Sequence, residues 1–251
     1  MTEQAGPGSI DHAFTGERRG GAGDPTYAGA LSFMRRRYGK DVAGCDLVIW
    51  GVPFDLAVTN RPGARFGPQA IRRASAIFDG DPQYPSGLDP FAHLTALDYG
   101  DCLLRCARAI EREAAGILAS GAHLVTLGGD HFVTLPLLRA HVARHGPLAL
   151  IQFDAHQDTW DDGVGAIGHG SFVLEAVREG LIDIERSIQI GIRTVAPRDG
   201  GIAILDAYTV HELGIAGTLA RIRERVGEGT AYLTFDIDAL DPAFAPGTGT
   251  P

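Results

Sequence analysis

The chain has 251 residues and a formal net charge of -9, with 45% hydrophobic against 21% charged residues, a balance that supports a packed core and excludes a largely disordered chain. Its acid excess excludes an ordinary nucleic-acid footprint, which needs clustered Lys and Arg, and no stretch approaches the roughly 18 apolar residues of a spanning helix, so no membrane role is expected. Cys45, Cys102 and Cys106 are an odd number at no zinc-like spacing, which argues against a disulfide framework or thiolate metal site and for reducing cytoplasm.

Residues 1–25 are rich in Gly and polar residues and are expected to form a mobile arm, with 26–251 as a single domain. From there short apolar runs alternate with helical patterns. The strands expected are 46–50, 94–97, 123–127, 148–153, 187–192, 202–205 and 231–235. Helices are expected over 68–77, 103–119, 134–145, 171–179 and 218–226. Repeated βαβ units predict an α/β fold, a three-layer α-β-α sandwich around a mainly parallel sheet. Ligands in such folds bind beyond the carboxyl ends of the strands. The run Arg35-Arg36-Arg37 reads most simply as a solvated helix face, and His123, His141 and His145 as packing or solvated residues. Asn60, Arg61, Arg65 and Phe66 fall in a glycine-containing loop of the kind that can line a site.

Three of the expected strands end in chemistry-bearing residues. Strand 123–127 runs into Gly-Gly-Asp-His, ending at His131; strand 148–153 runs into Asp154-Ala155-His156-Gln157-Asp158; strand 231–235 runs into Asp236-Ile237-Asp238. In extended backbone, residues i, i+2 and i+4 point the same way, so Asp154, His156 and Asp158 are expected to converge, as are Asp236 and Asp238. A single Asp-x-Asp is usually a turn or cap, but three such strand ends together are hard to assign to caps. Carboxylates at this density raise each other's pKa unless a cation lies between them. Two imidazoles, four carboxylates and no thiolate favour manganese over a structural zinc, and six donors suit two ions better than one.

Gly-Gly-Asp-His, Asp-Ala-His-x-Asp and Phe-Asp-Ile-Asp-x-x-Asp-Pro resemble the three signature segments of the ureohydrolase family, the arginases and agmatinases. The resemblance extends over IWGVPFD (49–55), GARFGPQAIR (63–72), GGDHFVTLPLL (128–138), QIGIRT (189–194) and LTFDIDALDPAFAPGTGTP (233–251), and is nearest to bacterial agmatinases. It implies an arginase-like fold and two Mn2+ per subunit. His131, Asp154, Asp158 and Asp236 would hold one ion and His156, Asp154, Asp236 and Asp238 the other, with Asp154 and Asp236 bridging. It also implies a catalytic role for His169, in the His-Gly pair after the second motif. Gly168 departs from the family pattern, which often has an acid there. The resemblance further implies a homo-oligomer, trimer or hexamer, and more chain beyond Pro251: a strand, a closing helix and a glutamate that binds the guanidinium.

The chemistry expected is attack on a guanidinium carbon by a water that two cations have made acidic enough to ionise near neutral pH, with histidine protonating the departing amine. Residues 159–168 contain Asp161 and Asp162 and no Lys or Arg, which favours a small cationic guanidino substrate, agmatine, converted to putrescine and urea. The alternatives are guanidinobutyrate or another guanidino acid as substrate, a non-catalytic relative acting as a binding subunit, and another binuclear hydrolase such as a phosphoesterase.

Overall fold

The computed structural model describes residues 11–22, 24–78, 82–104, 106–163 and 166–250. The chain divides into two compact units, residues 1–53 with 64–129, and residues 54–63 with 130–251. The expected arm lies partly outside the described residues, at 1–10 and 23. Its described part is tied down: Ala13 and Ala22 are buried, and Ala96 N–H donates to the Arg18 carbonyl.

In the first unit, a single turn α1 (His12–Thr15) starts at Asp11, whose carboxylate accepts the Ala13 N–H. Strand β1 (Leu47–Val52) is buried from Val48 onward, as a strand flanked on both sides must be. After it come α2 (Gly67–Ser75), with Pro68 in the first turn, the short α3 (Pro90–His93), β2 (Ala96–Asp101), α4 (Ala107–Leu118) and β3 (His123–Gly128). The sheet order is β2-β1-β3 and both pairings are parallel, with Leu47 opposite Ala96 and His123. Helix α4 packs on β3 and buries Ile110, Ala114 and Ile117, spaced to share one face. Gly67 is required where α2 begins, because a Cβ there would stand 2.7 Å from the Gly128 carbonyl oxygen.

Two members of the arginine run overturn its expected role as a solvated helix face, while Arg37 is exposed. Arg35 and Arg36 are among the largest fully buried side chains of the protein. Arg35 donates to the carbonyls of Ala76 and Ala28, and Arg36 to those of Met34 and Gly20 while lying 4.2 Å over the Phe91 ring. Irregular backbone leaves carbonyls unpaired, and a guanidinium with five donors can satisfy several of them at once. Arg72 is also buried, with Nε and Nη2 forking onto the two oxygens of Asp98 at 2.7 and 2.9 Å.

The second unit contains α5 (Thr134–His145), β4 (Ala149–Phe153), α6 (Phe172–Arg178), β5 (Ile188–Ile192), β6 (Ala203–Asp206), α7 (Ala207–Val226) and β7 (Ala231–Phe235). Its sheet runs β6-β5-β4-β7, again with every pairing parallel. Leu135 and Leu138 of α5, Phe172 and Val173 of α6, and Leu148 and Leu150 form one core cluster. Each such side chain contributes about 1.5–3 kcal/mol relative to exposure. His141 packs edge-on against Tyr232, in line with a packing role. Helix α7 begins eleven residues earlier than the 218–226 pattern suggests, since Asp206 caps it by accepting the Thr209 N–H; Gly214, at φ +61°, breaks it into two pieces.

Two registers place the functional residues. Phe153 of β4 lies opposite both Ile190 of β5 and Phe235 of β7. Where the strands end, the Asp154 N–H donates to the Ile190 carbonyl and the Asp236 N–H to the Phe153 carbonyl, so the two aspartates leave adjacent strand tips side by side.

Candidate metal centre

The six residues singled out at the strand ends meet in the second unit. His131 opens a short 3-10 turn, His131–Val133, whose cap is Asp130; that carboxylate accepts the Phe132 and Ala57 N–H groups. His131 Nδ1 lies 2.9 Å from Asp154 Oδ2 and 3.1 Å from Oδ2 of both Asp158 and Asp236. His156 Nδ1 lies 3.0 Å from Asp238 Oδ2 and 3.5 Å from Asp154 Oδ1. Two groups with converging donor atoms result, His131/Asp154/Asp236 and Asp154/His156/Asp238, and Asp154 belongs to both.

Simple strand alternation does not explain the convergence of 154–158, because β4 stops at Phe153. Asp154 Oδ1 turns back to accept the His156 N–H at 2.7 Å, and Asp158 sits in the left-handed region at φ +52°. Its carbonyl accepts the Val173 and Leu174 N–H groups at the start of α6, which holds it in that conformation. At the third tip, Asp236 Oδ1 accepts the Asp238 N–H, and Asp238 Oδ1 accepts the Ala155 N–H.

The electrostatics are those of too many acids in too little water. Burial pushes the Asp158 carboxyl well above the usual range, with the Asp154 charge adding to it; burial likewise raises Asp238. Burial would raise Asp154 as well, but His131 and His156 hold it below its ordinary value. Asp154 and Asp238 push His156 up to about 10, and for His131 the facing carboxylates outweigh a burial that alone would lower it. The donor set fits cations on a further observation. His131 Nδ1 is buried with three carboxylate oxygens near it, yet none is aligned as a hydrogen-bond partner. Its other nitrogen, Nε2, lies 2.8 Å from Thr234 Oγ1, which fixes the ring so that Nδ1 faces the acids.

His169 is half-buried nearby, and burial lowers its pKa, with the Asp236 charge working the other way. Its Nε2 accepts the Thr59 N–H at 3.1 Å and lies 3.0 Å from the Thr59 hydroxyl. In the segment 159–168, Val164 and Gly165 lie outside the described residues. The absence of Lys and Arg from that segment does not leave both acids free, since Arg178 and Arg198 reach Asp161 at 2.6 and 3.4 Å. Asp162 is exposed and stands over Gly168, its Oδ2 3.1 Å from where a Cβ would be.

Thr59, Thr234, Gln152 and Gln189 escaped the sequence reasoning. The two glutamines were the detectable ones: each is an amide inside an otherwise apolar strand and each is fully buried.

A parallel α/β frame with acids and imidazoles gathered at its strand ends suits metal-assisted hydrolysis. The Arginase family model matches residues 45–251, and the chain belongs to that family. It is 51% identical over 234 residues to an agmatinase of Chromobacterium violaceum, covering 90% of this chain and 73% of that protein. The crystal structure of a hypothetical agmatinase from Burkholderia thailandensis superimposes with a TM-score of 0.93 at 52% identity, over 96% of this chain and 79% of that one. Trypanosoma cruzi formiminoglutamase, solved with Mn2+, shares the fold alone, with a TM-score of 0.74 at 24% identity over 82% of this chain and 75% of that one. The fold is arginase-like, as the resemblance of the three strand-end motifs implied, and the protein is a hydrolase acting on C–N bonds of guanidino compounds. A non-catalytic binding subunit and a phosphoesterase are thereby set aside.

Proposed function

We propose that the chain hydrolyses agmatine to putrescine and urea, using two Mn2+ ions held by His131, Asp154, His156, Asp158, Asp236 and Asp238. The observation that carries this is the sharing of Asp154 between two converging donor groups, one oxygen turned to each imidazole. When bound, the two cations supply a hydroxide nucleophile at neutral pH and Lewis acidity toward the guanidinium. Water adds to the guanidinium carbon, the C–N bond to the alkyl chain breaks, and the amine departs after gaining a proton. His169, whose pKa burial lowers, would move that proton. Asp162 remains to attract the substrate's ammonium end, and Trp160 stands edge-on to the His156 ring as an apolar wall. Relatives named agmatinase at 46–51% identity support the substrate.

A guanidino acid such as 4-guanidinobutyrate is the second reading, favoured by Arg198, which is 60% exposed beside the same segment. Urea release from agmatine, arginine and 4-guanidinobutyrate, with metal content measured on the same sample, tests both. Agmatine preference with two manganese ions per chain is expected; preference for a carboxylate-bearing substrate, or a chain that takes up no manganese, overturns the proposal. The proposal includes a cytoplasmic homo-oligomer, for which light scattering should show a trimer or hexamer. Among the described residues no helix is long and apolar enough to cross a membrane.

A further inference from the structure

Behind the acids lies a chain of two buried amides. Gln189 Nε2 is 2.7 Å from the Gln157 carbonyl oxygen and 2.8 Å from Gln152 Oε1. Gln152 Nε2 is in turn 2.8 Å from Asp154 Oδ2 and 3.4 Å from Asp158 Oδ2. Both glutamines are 0% exposed, so no solvent competes for these groups.

The direction of the chain follows from one fixed point. A backbone carbonyl only accepts, so the Gln189 atom facing Gln157 must be the NH2 group. With one hydrogen spent there, its second hydrogen points at Gln152, which must then present its oxygen to Gln189. The amide nitrogen of Gln152 is thereby turned to the acids and cannot flip without placing two donors against each other. Gln157 is held as well, its Oε1 accepting the Ala196 N–H at 2.7 Å. The arrangement leaves Gln189 Oε1 buried without a partner among the described residues. A packing role alone does not call for that cost, and apolar residues would fill the same strand positions without it.

We propose that Gln152 is a positioning residue for the shared carboxylate, and that Gln189 acts through it by fixing which end of its amide faces Asp154. Gln152 donates to Oδ2, the oxygen that also meets His131, and so holds Asp154 with one oxygen directed to each imidazole. The inference rests on the six-residue metal site proposed above.

Equilibrium dialysis of Mn2+ against wild type, Gln152→Leu, Gln189→Leu and the double variant tests it, with thermal melts of the metal-free proteins alongside. Gln152→Leu is expected to weaken manganese binding about 10- to 100-fold. Gln189→Leu, at a side chain whose amide donates to Gln152 and the Gln157 carbonyl, is expected to weaken it less but measurably, and to add nothing in the Gln152→Leu background. Unchanged affinity in Gln152→Leu, or equal losses from Gln189→Leu with and without Gln152, overturns the proposal. Neutron diffraction of the wild type supplies a readout independent of metal, catalysis and variant folding. Amide deuterons of Gln152 directed at Asp154 are expected; its oxygen facing Asp154 overturns the relay. Should wild type bind no manganese, the metal site fails as a reading, and the deuteron positions still decide the relay.

Discussion

Each unit of the protein buries an ionic cluster, and the two are balanced in opposite ways. In the first unit, Asp98 is met by the Arg72 fork and also accepts the N–H groups of Phe33 and Gly100, while Arg72 Nη1 reaches Asp101. Burial opposes the Arg72 charge, but Asp98 and Asp101 hold it firmly protonated. That cluster is complete within its own chain. In the second unit four carboxylates face two imidazoles, and burial pushes Asp158 and Asp238 toward the protonated form. A buried cluster that its own chain leaves short of positive charge marks a place for a cation; one that the chain satisfies marks structure.

The largest expected effect strikes the unbalanced cluster. Asp154→Ala removes the group common to both donor sets, and urea release should fall at least about 100-fold, with fewer than two manganese ions retained per chain. Full metal content in that variant would break the comparison. Next comes Arg72→Met, which strands Asp98 in the core and should cost ~3–5 kcal/mol in denaturant unfolding while manganese per folded chain stays the same. A variant as stable as wild type would show that the first cluster is not structural.

A milder lever is the cation itself. Chelation should lower the melting temperature, and manganese at about 100 times its Kd should return ~2.7 kcal/mol. Affinity should fall from pH 8 to pH 6, because His131 and His156, both raised by their carboxylates, must give up protons to bind metal. Calorimetry in buffers of different ionisation enthalpy should therefore register proton release. The smallest effect belongs to a pair outside both clusters: Arg139→Ala, losing its contacts to Glu179, should shift stability by ~0.5 kcal/mol.

The elements legible in the sequence were those whose signal is contiguous. The run 134–145 is helical as expected and 231–235 is a strand, each an unbroken segment, although β7 is more exposed than a buried parallel strand should be. Strand β2 lies later than the expected 94–97, because Asp98 and Asp101, which read as the end of an apolar run, are the partners of Arg72. The first half of α7 was missed because Gly214 and Gly217 dilute its pattern. At the site, the three strand-tip motifs announced themselves through spacing. Thr59 did not, since its tie to His169 spans 110 positions and no local pattern encodes it. Arg35 and Arg36 misled because a charge run looks the same in sequence whether water or backbone carbonyls receive it.

The left-handed backbone of Asp158 inverts the usual ranking of gentle and harsh replacements. Asparagine is at home at φ +52°, so Asp158→Asn is expected to leave the turn into α6 intact while replacing the carboxyl with a neutral amide. Glutamate keeps the charge but tolerates that conformation poorly and carries one methylene too many for a fully packed position. The swap that looks chemically closest is thus the one that disturbs the chain, and the amide is the cleaner scalpel for separating charge from shape.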